Sequence, residues 1–361
     1  MTIANINETE VEDTRSEDDE REVEPLRFAI SSYGADYPVD SLIRRLRDGS
    51  IFVPSFQRGF VWDIKEASRF IESLLLGLPV PSIFLSREAN TGKLLVVDGQ
   101  QRLLSLLYYC DGVWAPSMVE FSLRGVDKIY EGRTYRSLRD EERRRLDDSI
   151  LHATIFKQDE PSNDDSGVFE VFERLNSGGK RLTAQEIRSA LFHAGPMGEL
   201  LQSLNQNASW RQIYGRKDVR MRDQELILRF LALFYDGESY ESPLVFFLNR
   251  FMKKNDELEP AVAAEMKTAF SSAIEVINEA IGALAFRPSR ALNAAVFDSV
   301  MVGVARRLRN GSIRNPADFK SAYDSLLLDV RYLDVCSRAT ASEDRVRQRL
   351  QIADTAFGKV A

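Results

Sequence analysis

Apolar residues along the chain change their spacing near its middle. In the first half, short apolar runs alternate with amphipathic helices. Leu42, Ile43 and Leu46 share one side of residues 39–47, which predicts a helix, and residues 51–53 read as a brief strand stopped by Pro54. Asp63 with Glu66 three residues on has the form of a capping box. Ile64, Ala67, Phe70, Ile71, Leu74 and Leu75 supply the apolar face of the helix it starts, and Gly77 with Pro79 ends it. Residues 82–86 and the Leu-Leu-Val-Val run of 93–97 read as strands. Asp98-Gly99 turns the second of these directly into a helix over 100–110. Strands over 119–123 and 151–156 flank a charged helix, 140–147.

From Gly167 onward almost every segment has helical period. The predicted helices cover 168–175, 183–192, 197–204, 223–235, 243–254, 261–284, 291–309, 316–329 and 342–357. Strands in the first half and helices in the second predict an α+β domain followed by an all-helical domain. The expected organisation is an acidic disordered tail over 1–25, an α+β domain over 26–195 and a helical domain over 196–361, with the boundary at Gly195-Pro196.

Composition narrows the class. At 361 residues the chain is long enough for two domains, and 44% hydrophobic with 29% charged residues is an ordinary globular balance. Two cysteines, Cys110 and Cys336, exclude a disulfide framework and a Cys-rich zinc site. No apolar run approaches the roughly 20 residues of a membrane span, and residues 1–24 lack the basic and apolar regions of a signal peptide. The expectation is a soluble protein of a reducing cytoplasm with no membrane partner. Net charge is −7, but residues 1–24 hold ten acids against two arginines, so residues 25–361 carry +1. The acidity lies in the tail, and local basic patches on the folded part remain open.

Three segments could carry chemistry. In Asp98-Gly99-Gln100-Gln101-Arg102 a strand end turns into a helix start, and the unpaired N–H groups and partial positive charge of a helix N-terminus suit phosphate. Arg102 offers a guanidinium fork, Asp98 could hold a magnesium ion bridging phosphates, and Gln100 or Gln101 could orient an attacking water. The same run is also accounted for by a plain turn in which Asp98 caps the helix and Arg102 pairs with an acid. The second segment, Val53-Pro54-Ser55-Phe56-Gln57-Arg58-Gly59-Phe60-Val61-Trp62, sets a Gln-Arg pair among aromatics. Those rings could stack on a base or simply plug the core. The third runs from Phe172 to Arg188. There, Asn176 with Gly178-Gly179 ends one helix, and Thr183 with Glu186 caps the next. Glu173, Arg174, Asn176 and Arg188 are its remaining polar residues. Gly178-Gly179-Lys180 lacks the spacing of a P-loop.

Taken in order, the three segments resemble one family, the N-terminal domain of GmrSD-type modification-dependent restriction endonucleases. The resemblance rests on Val53-Pro54-x-Phe56-Gln57-Arg58-x-Phe60-x-Trp62, on Val97-Asp98-Gly99-Gln100-Gln101-Arg102-Leu103, and on Phe172-x-Arg174-Leu175-Asn176-x-Gly178 with Leu182 and Glu186-Ile187-Arg188. It implies a ParB/sulfiredoxin-like fold over residues 35–195 and a domain that binds, and in several members hydrolyses, nucleoside triphosphates in defence against phage or foreign DNA. The implied nucleotide site comprises Gln57, Arg58, Asp98, Gly99, Gln100, Gln101 and Arg102, with Asn176 as an addition. Phe56 stands where the family often has Tyr. The HNH nuclease domain of full-length members needs a histidine base, and the two histidines are His152 and His193, so residues 196–361 cannot supply that chemistry.

The helical half carries basic clusters at Arg216, Lys217, Arg220 and Arg222, at Arg306, Arg307 and Arg309, and at Arg345, Arg347 and Arg349. Each could touch a phosphate backbone or lie on a solvated helix face paired with acids. The leading reading is a magnesium-dependent nucleoside triphosphatase of a DNA-defence type. In it, the helical domain couples nucleotide state to DNA or to a separate nuclease or effector. The alternative is a DNA-binding or sensing module without hydrolysis. An autonomous nuclease is disfavoured by the lack of a dense Asp, Glu and His cluster. Self-association is left open.

Overall fold

The computed structural model describes residues 11–12, 29–53, 60–88, 91–160, 166–175, 183–192 and 195–360. In chain order the first elements are β1 (Val11–Glu12), β2 (Ala29–Pro38), α1 (Val39–Arg47), β3 (Ile51–Phe52), α2 (Ile64–Leu75), β4 (Ile83–Arg87), β5 (Leu94–Asp98) and α3 (Gln100–Asp111). Then come β6 (Val113–Trp114), β7 (Val119–Glu120), α4 (Asp140–Asp147), β8 (Ile150–Glu160) and α5 (Ser166–Leu175). The helical series is α6 (Ala184–Leu191), α7 (Pro196–Leu204), α8 (Ala208–Tyr214), α9 (Arg222–Asp236), α10 (Leu244–Lys254) and α11 (Pro260–Ala280). It ends with β9 (Leu292–Asn293), α12 (Ala294–Leu308), α13 (Pro316–Leu328), α14 (Val330–Val335) and α15 (Glu343–Phe357). The chain divides into two compact units: a sheet unit of residues 28–162 and 167–181, and a helical unit of residues 1–27, 163–166 and 182–361.

The sheet unit is built on five strands in the order β2-β8-β4-β5-β3. β2 and β4 flank β8 in antiparallel and parallel register, β5 runs antiparallel to β4, and β3 runs parallel to β5. Leu42, Ile43, Ile71, Leu75, Leu103 and Leu106 of the helices share one core with Ile51, Ile83, Leu85, Leu94 and Val96 of the strands. Leu95 and Val97, of the opposite pleat direction, are buried too. A strand covered on both faces needs an unbroken apolar run, which explains the Leu-Leu-Val-Val of β5. The capping box at Asp63 and Glu66 is formed.

The α+β class with a helical C-terminal region is the observed architecture, and several elements depart from expectation. β2 alternates only over Tyr33, Ala35 and Tyr37, and most of its residues are exposed. It exists because its backbone pairs with β8 over ten residues at the sheet edge. The strand expected over 119–123 shrinks to Val119–Glu120, and the helix expected to run to 284 stops at Ala280. The stretch read as a disordered tail contributes β1, which pairs in parallel with β9, and Val11 packs on the helical core. The expected boundary at Gly195-Pro196 falls instead near residue 182. The reason is Arg188 of α6: wholly buried, it donates to Gln185, to Glu225 Oε2 at 2.8 Å and to Asn249, which ties α6 to α9 and α10.

At the centre of the helical unit every residue of α12 from Ala294 to Ala305 is buried, and α9, α11 and α15 pack around it. A Cβ on Gly303 would lie 3.0–3.3 Å from Phe357 and Ala353, so this contact requires a very small residue. Asp298, also fully buried, accepts two hydrogen bonds from Arg229 and one from Arg349, which in turn donates to the Thr340 carbonyl. Removing one partner of such a buried ion cluster costs about 3–5 kcal/mol. Asp298→Ala is therefore expected to lower the urea midpoint of the helical unit sharply, with Asp298→Asn falling between it and wild type. An unchanged midpoint would show that the arginines do not depend on this carboxylate.

Candidate functional site

Asp98 is the last residue of β5, and Gly99 follows as the N-cap of α3 with φ of 98°. That left-handed conformation favours glycine, and space demands it as well. A Cβ on Gly99 would stand 2.4 Å from Ile83 Cγ2 of β4. The turn delivers Gln100, Gln101 and Arg102 in the first turn of α3, which carries no acid. The positive pole of this helix's dipole is therefore not offset by an acid within its first turn.

Arg102 reaches back one turn to Asp98, with Nη2 2.8 Å from Oδ2, while Nη1 donates to the carbonyls of Pro81 at 2.8 Å and Ser82 at 2.5 Å. Its side chain is 13% exposed against 43% for Asp98. The free phosphate fork expected of Arg102 is thus a brace: it holds Asp98 in place and ties the chain entering β4 to the helix start. Backbone carbonyls carry no side-chain signature, so Pro81 and Ser82 were invisible as partners in the sequence. Gln101 Oε1 accepts hydrogen bonds from the N–H groups of Val61 at 2.9 Å and Trp62 at 3.1 Å. Phe60 packs edge-on against Tyr108 of α3 and against Trp114, and Trp62 against Phe70 of α2. For these two rings the core-plug reading holds. Gln57, Arg58 and Asn176 lie outside the described residues.

Thr183 and Glu186 form the expected capping box, Glu186 also accepts from Arg220 Nε at 3.1 Å, and Arg188 is the buried tie described above. Arg174 of α5 pairs with Glu170. Of the proposed DNA contacts in the helical unit, Arg216 and Lys217 are exposed, whereas Arg220 is engaged with Glu186. His152 is exposed on β8, with its Nδ1 2.5 Å from Asp36 Oδ1. Among the described residues no group of three or more His, Cys, Asp and Glu side chains could hold a metal.

Residues 39–193 match the GmrSD restriction endonuclease, N-terminal domain. The chain is also 30% identical over 112 residues to the uncharacterized protein MJ0686 of Methanocaldococcus jannaschii, over 25% of this chain. The match spans 18% of that relative's length. No helix among the described residues is long and apolar enough to cross a membrane.

Two substitutions test the local architecture. Gly99→Ala adds a left-handed backbone cost and an overpacked contact, each about 1–3 kcal/mol. Arg102→Ala removes charge-assisted bonds of about 2 kcal/mol. Both variants are expected to melt several degrees below wild type in a thermal unfolding scan, and an Arg102→Ala variant that melts with wild type would refute the brace.

Proposed function

We propose that the sheet unit binds a nucleoside triphosphate at the start of α3 and hydrolyses it with magnesium, as part of a DNA- or phage-defence system. The observation that carries this reading is the placement of Asp98-Gly99-Gln100-Gln101-Arg102 on a strand end and helix start within the GmrSD-type domain. Asp98 would hold the magnesium ion, braced by Arg102, and the ion would neutralise phosphate charge and polarise the bond to be broken. The N-terminal turn of α3 would face the phosphates. Gln100 is the residue assigned to orient the attacking water, a role that glutamine fills in other nucleotide hydrolases. Gln57, Arg58 and Asn176 complete the proposed binding set on the family's pattern.

The helical unit is assigned the coupling role, passing nucleotide state to DNA or to a separate nuclease, with exposed Arg216 and Lys217 as phosphate-backbone contacts. The acid-rich N-terminal segment bears on this same role. Net −8 over residues 1–24 competes with DNA for basic surface, so DNA affinity rises when it is removed.

A thermal-shift panel of ATP, GTP, CTP and UTP with magnesium tests binding, because a ligand specific to the folded state raises its melting temperature. At least one nucleotide is expected to do so. Asp98→Asn, which keeps an acceptor for Arg102 but loses the charge, is expected to reduce phosphate release at least tenfold with a smaller loss of affinity. Binding without release in wild type, with or without DNA, would favour a sensing module instead, and no shift with any nucleotide would end the nucleotide reading.

A further inference from the structure

We propose that Gln101 is a positioning residue: its side chain latches the backbone at Val61 and Trp62 to the start of α3, and the two adjacent glutamines therefore have different jobs. This rests on the nucleotide reading of the site for its functional consequence, though not for the latch itself. Two successive backbone N–H groups converge on one side-chain oxygen, at 2.9 and 3.1 Å. An amide oxygen has two lone pairs, so both are taken, and two donors on one side fix which end of the amide is oxygen. A glutamine so committed has no acceptor left with which to hold an attacking water. Gln100, one residue earlier, projects about 100° around the helix from Gln101.

The latch acts on a short segment that is already pinned by packing. Phe60 sits between Tyr108 and Trp114, Trp62 lies on Phe70, and Asp63 caps α2 through Lys65 and Glu66. Aromatic packing sets where these rings lie, but it leaves the peptide groups between them without direction. Gln101 supplies that direction. It ties the end of the aromatic segment to the Asp98-Gly99-Gln100-Gln101-Arg102 turn, so two segments forty residues apart present one surface. Affinity gained in this way is preorganisation, and it is lost without any ligand contact being removed.

The test pairs amide hydrogen exchange with nucleotide titration on the full chain. Gln101→Leu fills the space without an acceptor, and Gln101→Glu restores acceptors for both N–H groups. Exchange at the Val61 and Trp62 amides is expected to speed up at least tenfold in Gln101→Leu and to stay near wild type in Gln101→Glu. The affinity for whichever nucleotide shifts the wild-type melting curve is expected to fall at least fivefold in Gln101→Leu and to recover in Gln101→Glu. Should Gln101→Leu not fold, Gln101→Met takes its place with the same expectations. Unchanged exchange in the acceptor-less variant overturns the latch. A Gln101→Glu variant with wild-type exchange and affinity but collapsed kcat overturns the positioning assignment instead, since that pattern belongs to a water-orienting group. Faster exchange in a protein that binds no nucleotide upholds the latch and removes only the nucleotide reading.

Discussion

β5 ends against β4 with no room for a side chain at residue 99, and the candidate site is organised around that close approach. Because Ile83 Cγ2 would collide with any Cβ there, the chain must carry glycine, and glycine lets the backbone take φ of 98°. The helix then starts at once, so Asp98 and Arg102 fall four residues apart on the same side of the turn and meet at 2.8 Å. Arg102 in turn fastens Pro81 and Ser82, the residues that lead into the strand against which Gly99 is pressed. Contact, turn and ion pair thus support one another in a closed loop of causes.

Charge is used differently in the two units. In the helical unit, Arg229, Arg349 and Asp298 are within 2% of full burial, as is Arg188 with its partner Glu225 close behind. Buried groups of this kind hold helices in register and are closed to solvent. At the start of α3 the pair is lopsided instead, with Arg102 sheltered and Asp98 nearly half exposed. An arginine that is rigid and covered, holding a carboxylate that is open, presents an anion at a fixed place beside the positive pole of a helix. That asymmetry is what separates a candidate cation-and-phosphate site from a structural salt bridge.

Much of this was legible in the sequence because local chemistry dictates it. The capping boxes at Asp63 and Thr183, the helices over 39–47 and 140–147 and the β5-turn-α3 unit all follow from residues within a few positions of one another. What was not legible depends on partners distant in sequence. β2 has only a short apolar alternation and is held by β8 more than a hundred residues away. β1 owes its place to β9, nearly three hundred residues on. The membership of α6 turns on Arg188 finding Glu225 and Asn249, so the polar residues at 186–188 that resemble site chemistry serve the helical core. At the site itself the residues were legible and their roles were not, because the partners of Arg102 and Gln101 are backbone groups.

The five-residue run therefore divides by cause. Gly99 answers to space, Arg102 to Asp98 and two carbonyls, and Gln101 to two backbone N–H groups. A phosphate that recruited Arg102 directly would have to replace bonds to two carbonyls and a carboxylate, and would loosen the very aspartate proposed to hold magnesium. Differential affinity sets the limit on any such rearrangement, since a ligand moves an equilibrium only by what it gains in the new state. The exchange favours a ligand that leaves Arg102 in place and uses Asp98 and the helix end. On the proposed reading the chemistry of this run rests with Asp98, Gln100 and the main chain, while the other side chains keep them where they are.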